Sequence, residues 1–152
     1  MHPLRPWPIV QFGATNHPVS TLQWLLRARG NVIDVDGQFG PKTRAAVEHL
    51  QNRANLVVDG ICGPQTWPHT ILVCRYGDSG DQVKGVQEEI NYRNLSGLPE
   101  TMLALDGQYG PQTQAAVEEF QKDIQVGHAG MVVDGICGPY TWRAFVSNML
   151  AM

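Results

Sequence analysis

Apolar residues recur at three- and four-residue intervals in short segments of this 152-residue chain. Residues with that spacing share one face of an α-helix, so each segment predicts a short amphipathic helix. The apolar positions are Val19, Leu22 and Leu26; Ala46, Val47 and Leu50; Trp67, Ile71 and Leu72; Val83, Val86 and Ile90; Ala116, Val117, Phe120 and Ile124; and Trp142, Phe145, Val146, Met149 and Leu150.

The chain also repeats itself, in three blocks that keep their order. The first copies are 12–26, 36–51 and 59–67, and the second copies are 76–90, 106–121 and 134–142. We therefore predict two modules, at 8–71 and 72–152, after an N-terminal extension at 1–7. The second module carries two insertions, around 94–101 and 125–130, whose Gly, Pro and polar residues predict surface loops.

A shorter pattern, D-G-x-x-G-P-x-T, occurs four times, beginning at Asp36, Asp59, Asp106 and Asp134. Asp-Gly favours a tight turn, and Pro after Gly is favoured at the first position of a helix. We expect the four aspartates to brace their loops by accepting backbone hydrogen bonds, and Thr43, Thr66, Thr113 and Thr141 to lie in the first helical turns. The predicted fold is all-α, with two tandem three-helix modules.

Charge and hydropathy argue against two classes of partner, nucleic acids and membranes. The formal net charge is −3, which provides no cationic surface field, so we expect no nucleic-acid partner. No run approaches the roughly 20 apolar residues that a membrane span needs, and prolines interrupt the first residues where a signal peptide would be apolar. We expect no membrane partner, and no signal peptide is visible.

The chain has three cysteines, an odd number, so one thiol stays unpaired within a single chain. Cys62 and Cys137 occupy the same position of the repeated DGICG, and Cys74 follows an apolar run. Buried free thiols fit these positions, because a free cysteine behaves as a small hydrophobe. A bridge between Cys62 and Cys74 is the alternative.

Three blocks, YGDSGDQVKGVQEEI, LDGQYGPQTQAAVEEFQ and VVDGICGPYTW, resemble the type 1 peptidoglycan-binding domain, a three-helix module found in many cell-wall hydrolases. The resemblance covers nearly the whole chain twice. It implies non-catalytic binding to bacterial peptidoglycan, through its glycan strand or stem peptide, with a separate cell-wall hydrolase as a possible partner. It also implies an extracellular, periplasmic or cell-wall location.

Signs of other functions are weak. The five histidines show no H-E-x-x-H spacing, and the combination of His69 with Cys62 and Cys74 has no second-module counterpart, so we predict no metal and no cofactor. The segment DVDGQFGPKT fits neither a phosphate-binding loop nor a calcium-binding EF-hand. We predict no catalytic residues. The main alternative is a scaffold in a phage or secretion assembly, and a wall hydrolase is a weaker one.

A peptidoglycan site should combine apolar or aromatic surface with hydrogen-bonding groups. The aromatic residues and the polar residues that flank the repeated loops are therefore the candidates, although the aromatic ones also suit the core. The candidate ligand-binding residues are Gln38, Phe39, Arg44, Trp67, Gln108, Tyr109, Gln114, Tyr140 and Trp142.

Overall fold

The computed structural model describes residues 4–93 and 102–150, and within them the regular structure is helical. The six helices are α1 (Val19–Ala28), α2 (Pro41–Arg53), α3 (Trp67–Thr70), α4 (Asp81–Tyr92), α5 (Pro111–Gln125) and α6 (Pro139–Val146). Each module contributes three helices, which confirms the predicted all-α fold. The first predicted insertion, around 94–101, lies outside the described residues.

The Gly-Pro pairs begin three of the helices as predicted. Gly40, Gly110 and Gly138 are extended residues directly before α2, α5 and α6, and a proline is the first residue of each helix. A proline costs nothing there because the first backbone N–H of a helix has no intrahelical acceptor.

The third helix of module 1 is only one turn long. Residues 64–66 form a turn, α3 begins at Trp67, and the backbone is extended again at Ile71. The chain has to enter module 2 within a few residues, because Cys74 pairs through its backbone with Cys137. In module 2 the apolar face predicted to end at Leu150 stops earlier: α6 ends at Val146, and Leu150 is 46% exposed.

The two modules share one hydrophobic core. The most extensive contact between helices joins α1 of module 1 to α4 of module 2, and the buried apolar residues of both modules form a single cluster. Gly85 of α4 allows this close approach, because a side chain there would face Trp24 and Trp142.

The N-terminal segment contacts both modules. Trp7 stacks on Trp67 with ring centroids 6.2 Å apart, and Arg143 of α6 donates to the backbone oxygens of Leu4 and Arg5 at 3.0 and 2.7 Å. The residues immediately before module 1 are therefore packed against the folded protein.

The second predicted insertion lies on the surface. It follows the end of α5, and Val126 is 90% exposed. In the part of the chain that the structure describes, no helix combines the length and apolar character that a bilayer crossing needs. The three cysteines are free and buried, so the Cys62–Cys74 bridge considered above does not form.

Candidate functional site

A buried glutamine organises each of the four repeated loops. In the first loop, the side-chain oxygen of Gln23 accepts from the backbone N–H groups of Asp36 and Gly37 at 3.1 and 3.0 Å. Its side-chain nitrogen donates to Asp36 Oδ1, the Gln38 carbonyl and Thr43 Oγ1 at 3.0–3.1 Å. One side-chain amide from α1 therefore forms hydrogen bonds with both the start and the end of the turn.

The same arrangement recurs in the other three loops. Gln51 binds the Asp59 loop, Gln87 binds the Asp106 loop, and Gln121 binds the Asp134 loop, each from the preceding helix of its module. No role for these glutamines was predicted from the sequence. The available signal was that Gln23 aligns with Gln87, and Gln51 with Gln121, among positions that both copies keep and most of which are apolar.

Hydrogen bonds hold Asp36, Asp59 and Asp106 as carboxylates. Backbone N–H donation from Gln38 and side-chain donation from Gln23 lower the pKa of Asp36 below its ordinary value. The pKa values of Asp59 and Asp106 are lowered by equivalent contacts, because hydrogen bonds to the charged form favour it.

Four of the predicted ligand-binding residues are core residues instead. Phe39 and Tyr109 are each 2% exposed, and Trp67 and Trp142 are fully buried. Their polar atoms are satisfied within the protein: the Tyr109 hydroxyl donates to the Gly135 carbonyl, and the two indoles donate to the carbonyls of Pro8 and Leu72. Large aromatic side chains gain most from burial when their polar group finds a partner, so none of the four offers a ring to a surface ligand.

The other predicted residues lie at or near the surface, but they do not form one cluster. Gln38 lines a groove of about 350 Å³ beside the first loop, and Tyr140, 38% exposed, lines one of about 190 Å³ beside the fourth. Arg44 and Gln114 occupy equivalent positions and pack against Gly60 and Gly135 of the following loops. The side chain of Gln108 is exposed.

A third groove, of about 370 Å³, accompanies the second loop and contains none of the predicted ligand-binding residues. Its lining combines exposed apolar groups such as Ile9 and Val57 with the polar loop residues Asp59 and Gln65. Three of the four loops thus present a shallow groove with both apolar and hydrogen-bonding groups.

A polar network between the modules was also not predicted from the sequence. Glu89 of α4 is buried, and its carboxylate accepts from Thr21 of α1 at 2.6 Å and from Arg93 at 2.7 Å. His17 Nε2 lies 2.7 Å from the same carboxylate, and the His17 ring stacks on Tyr92. A cleft of about 410 Å³ lies beside this network. No repeat reveals it, because Leu25 stands where module 2 has Glu89.

Comparison with known families gives the same two units as the repeat. The family described as "Putative peptidoglycan binding domain" matches residues 15–68 and 79–145. The chain belongs to this peptidoglycan-binding family. The two matched segments confirm the tandem arrangement of two copies predicted from the sequence.

The relatives of this peptidoglycan-binding chain include larger enzymes. It is 35% identical to the zinc D-Ala-D-Ala carboxypeptidase of Streptomyces albus G, in a match that covers 69% of the chain and 37% of that enzyme. It is 29% identical to the N-acetylmuramoyl-L-alanine amidase CwlL of Bacillus licheniformis, over 88% of the chain and 44% of that protein. The chain therefore spans less than half the length of these relatives.

Among solved structures, the SleB N-terminal domain is 34% identical, in a match that covers 42% of this chain and 88% of that one, with a TM-score of 0.38. A peptidoglycan-binding protein from Clostridioides difficile is 35% identical, in a match that covers 40% of this chain and 38% of that one, with a TM-score of 0.39.

The thiols of this peptidoglycan-binding chain are poor nucleophiles. Burial raises the pKa of Cys74 to about 12 and raises the pKa values of Cys62 and Cys137 as well. A thiol reacts as the thiolate, which burial disfavours. Across 4–93 and 102–150, no three side chains of the His, Cys, Asp and Glu types are grouped to hold a metal ion.

Proposed function

We propose that this chain binds bacterial peptidoglycan without catalysing a reaction on it, and so holds a separate partner, such as a wall hydrolase, at the cell wall. The observation that carries the proposal is the match of both modules to the peptidoglycan-binding family. The proposal places the protein outside the cytoplasm, in the cell wall or periplasm.

The relatives support a binding role for this chain and a catalytic role for a separate partner. Their names describe enzymes that act on D-Ala-D-Ala and on N-acetylmuramoyl-L-alanine, and this chain corresponds to 37% and 44% of the two compared above. The protonated, buried thiols also favour binding over nucleophilic catalysis.

The proposed contact surface is the set of shallow grooves beside the repeated loops. A groove of this kind offers apolar surface to a sugar face and nearby polar groups to amides and hydroxyls. Gln38 and Tyr140 lie in such grooves, and Arg44, Gln108 and Gln114 flank the loops. If both modules engage one polymer, avidity raises the apparent affinity by about 10² or more.

Co-sedimentation with purified peptidoglycan sacculi tests the proposal, with chitin as the control polysaccharide. We expect the protein to leave the supernatant with sacculi and to stay in it with chitin, while the sacculi release no soluble muropeptides. Protein that stays in solution with sacculi would favour the assembly-scaffold alternative. Release of muropeptides would show that the chain is a hydrolase.

A matched pair of substitutions tests the contact surface. Tyr140→Ala removes the aromatic ring at the fourth groove, whereas Tyr76→Ala removes an exposed ring that lines none of the three grooves. We expect a loss of about tenfold in sacculus affinity for Tyr140→Ala and no change for Tyr76→Ala. Equal affinities for the two variants would place the ligand elsewhere.

A further inference from the structure

A basic pocket of about 400 Å³ lies in module 1, where the C-terminal ends of α1, α2 and α3 meet. Its charged and titratable lining residues are Arg29, His49, Arg53 and His69. No acidic side chain of residues 4–93 and 102–150 lines it, although the chain as a whole has a net charge of −3. The pocket therefore concentrates positive charge against the overall balance of the protein.

One of the four residues has an evident role in the fold. Arg29 donates from Nε and Nη2 to the carbonyls of Thr70 and Ile71, both at 2.8 Å. Its counterpart Arg93 donates in the same way to Met149 and to Phe145 in module 2. Both arginines bind carbonyls in the last turn of a helix and just after it, where a cation is favourable.

The fold does not require the other three residues. Alignment of the repeats places Glu119, Asp123 and Ala144 of module 2 at the positions of His49, Arg53 and His69. Module 2 forms the same three-helix unit with those acidic and apolar residues, so the positive charge is specific to module 1.

These three side chains are also free to meet a ligand. The side chains of His49, Arg53 and His69 are exposed, and none forms an ion pair with another described residue. Burial, followed by repulsion from Arg53, lowers the pKa of Arg29. Two guanidinium groups therefore face one cavity with no carboxylate between them, and a bound anion would relieve their repulsion.

We infer that this pocket is a carboxylate subsite for the peptide part of the wall polymer, and that module 2 lacks it. The inference rests on the proposed function. A peptide that ends in D-Ala-D-Ala, the group in the name of the carboxypeptidase relative, carries a free terminal carboxylate. A guanidinium matches a carboxylate with two parallel hydrogen bonds, and the imidazoles add donors beside it.

The test transplants the residues of module 2 into module 1, as His49→Glu, Arg53→Asp and His69→Ala in one variant. The matched control, Gln112→Glu with Lys122→Asp, makes the same change in formal charge at exposed positions of α5. Binding is measured with sacculi stripped of phosphate polymers, before and after their carboxylates are converted to amides, and with unstripped walls. Circular dichroism checks that each variant is folded.

We expect the transplant variant to bind stripped sacculi at least tenfold more weakly than the wild type and the control variant. Amidation of the sacculi should weaken binding of the wild type by a similar factor. It should not weaken binding of the transplant variant any further. In solution, N-acetyl-D-alanyl-D-alanine should shift the ring signals of His49 and His69 in NMR spectra, and its C-terminal amide should not.

The outcomes separate this inference from the proposed function. If the wild type does not bind sacculi at all, the proposed function itself is overturned. Strong binding that responds neither to the transplant nor to amidation would overturn the carboxylate subsite alone. Binding that needs unstripped walls and is displaced by inorganic phosphate would assign the pocket to a phosphate polymer and would also overturn it.

Discussion

At the scale of single residues, a buried amide sets the geometry of each repeated loop. Gln51 illustrates why the residue has to be an amide: its oxygen accepts from two backbone N–H groups, and its nitrogen donates to Asp59, Ile61 and Thr66. No side chain that only donates or only accepts could satisfy both sets of partners.

Replacement of the amide by a carboxylate is therefore expected to destabilise the fold. Gln51→Glu replaces the donating nitrogen with an oxygen that faces three acceptors in a buried site. We expect a loss of about 3 kcal/mol in the free energy of unfolding. The same change at the exposed Gln65 is the control and should cost less than about 0.5 kcal/mol. Urea denaturation measures both, and equal midpoints would contradict the structural role of Gln51.

The loop aspartates predict a loss of stability in acid. The folded-state pKa values of Asp36, Asp59 and Asp106 lie below the unfolded value of about 3.9, so their carboxylates stabilise the folded state above that value. This contribution is lost as the pH falls through the lower folded values. At pH values below about 4, we expect the Tm of the wild type to decrease as the pH is lowered. The decrease should be less steep in the variant that carries asparagine in place of Asp36, Asp59 and Asp106.

The control for that experiment is Asp123→Asn, at an exposed position of α5 that braces no loop. Its Tm should follow the wild-type pH profile. If the triple variant also followed that profile, the three loop carboxylates would not be the source of the acid sensitivity.

At the scale of helices, the contact between α1 and α4 depends on a residue without a side chain. A Cβ atom built at Gly85 would lie 3.4 Å from the Trp142 ring and 3.5 Å from Trp24 Cβ. A methyl group just fits there, whereas a longer side chain would push the helices apart. Glycine in a helix interior costs about 1 kcal/mol relative to alanine, so close packing justifies its presence.

Two substitutions at this position should act in opposite directions. We expect Gly85→Ala to stabilise the protein by up to about 1 kcal/mol through helix propensity, and Gly85→Leu to destabilise it by about 1–3 kcal/mol through overpacking. Gly127→Leu is the control, because a Cβ atom there meets no neighbour within 4 Å. Thermal unfolding orders the variants, and a neutral Gly85→Leu would show that the helices are not tightly packed.

At the scale of the whole molecule, the two modules are joined by a buried polar network as well as by apolar contact. Glu89 reaches His17 and Thr21 across the boundary and Arg93 on its own helix. A buried carboxylate needs such partners, and removal of one member leaves the others buried without compensation.

Loss of this carboxylate should destabilise the interface between the modules. We expect Glu89→Ala to lower the free energy of unfolding by about 3–5 kcal/mol and to split one calorimetric transition into two. The control is Asp81→Ala, which removes a partly exposed ion pair with Arg27 across the same boundary and should cost at most about 1 kcal/mol. A single transition of unchanged midpoint in Glu89→Ala would contradict this role.

The sequence by itself determined the two copies, the all-α fold and three of the four helix starts predicted at Gly-Pro, because these follow from local periodicity and local turn chemistry. The family followed from the resemblance of three blocks that keep their order in both copies. It did not reveal that Phe39, Tyr109, Trp67 and Trp142 point inward, since an aromatic residue beside a loop suits either a core or a binding surface. Only the packing of the helices decided which aromatic side chains are buried and which are exposed.

The tertiary structure alone decided the features that join residues distant along the chain. The glutamine contacts, the Glu89 network and the basic pocket at Arg29 and Arg53 each combine side chains from different helices, and no spacing within one segment encodes them. Residues that differ between the repeats, such as Arg53 and Asp123, had no visible meaning until the fold placed them at equivalent positions. Local sequence set the elements, and the packing of those elements set which side chains meet.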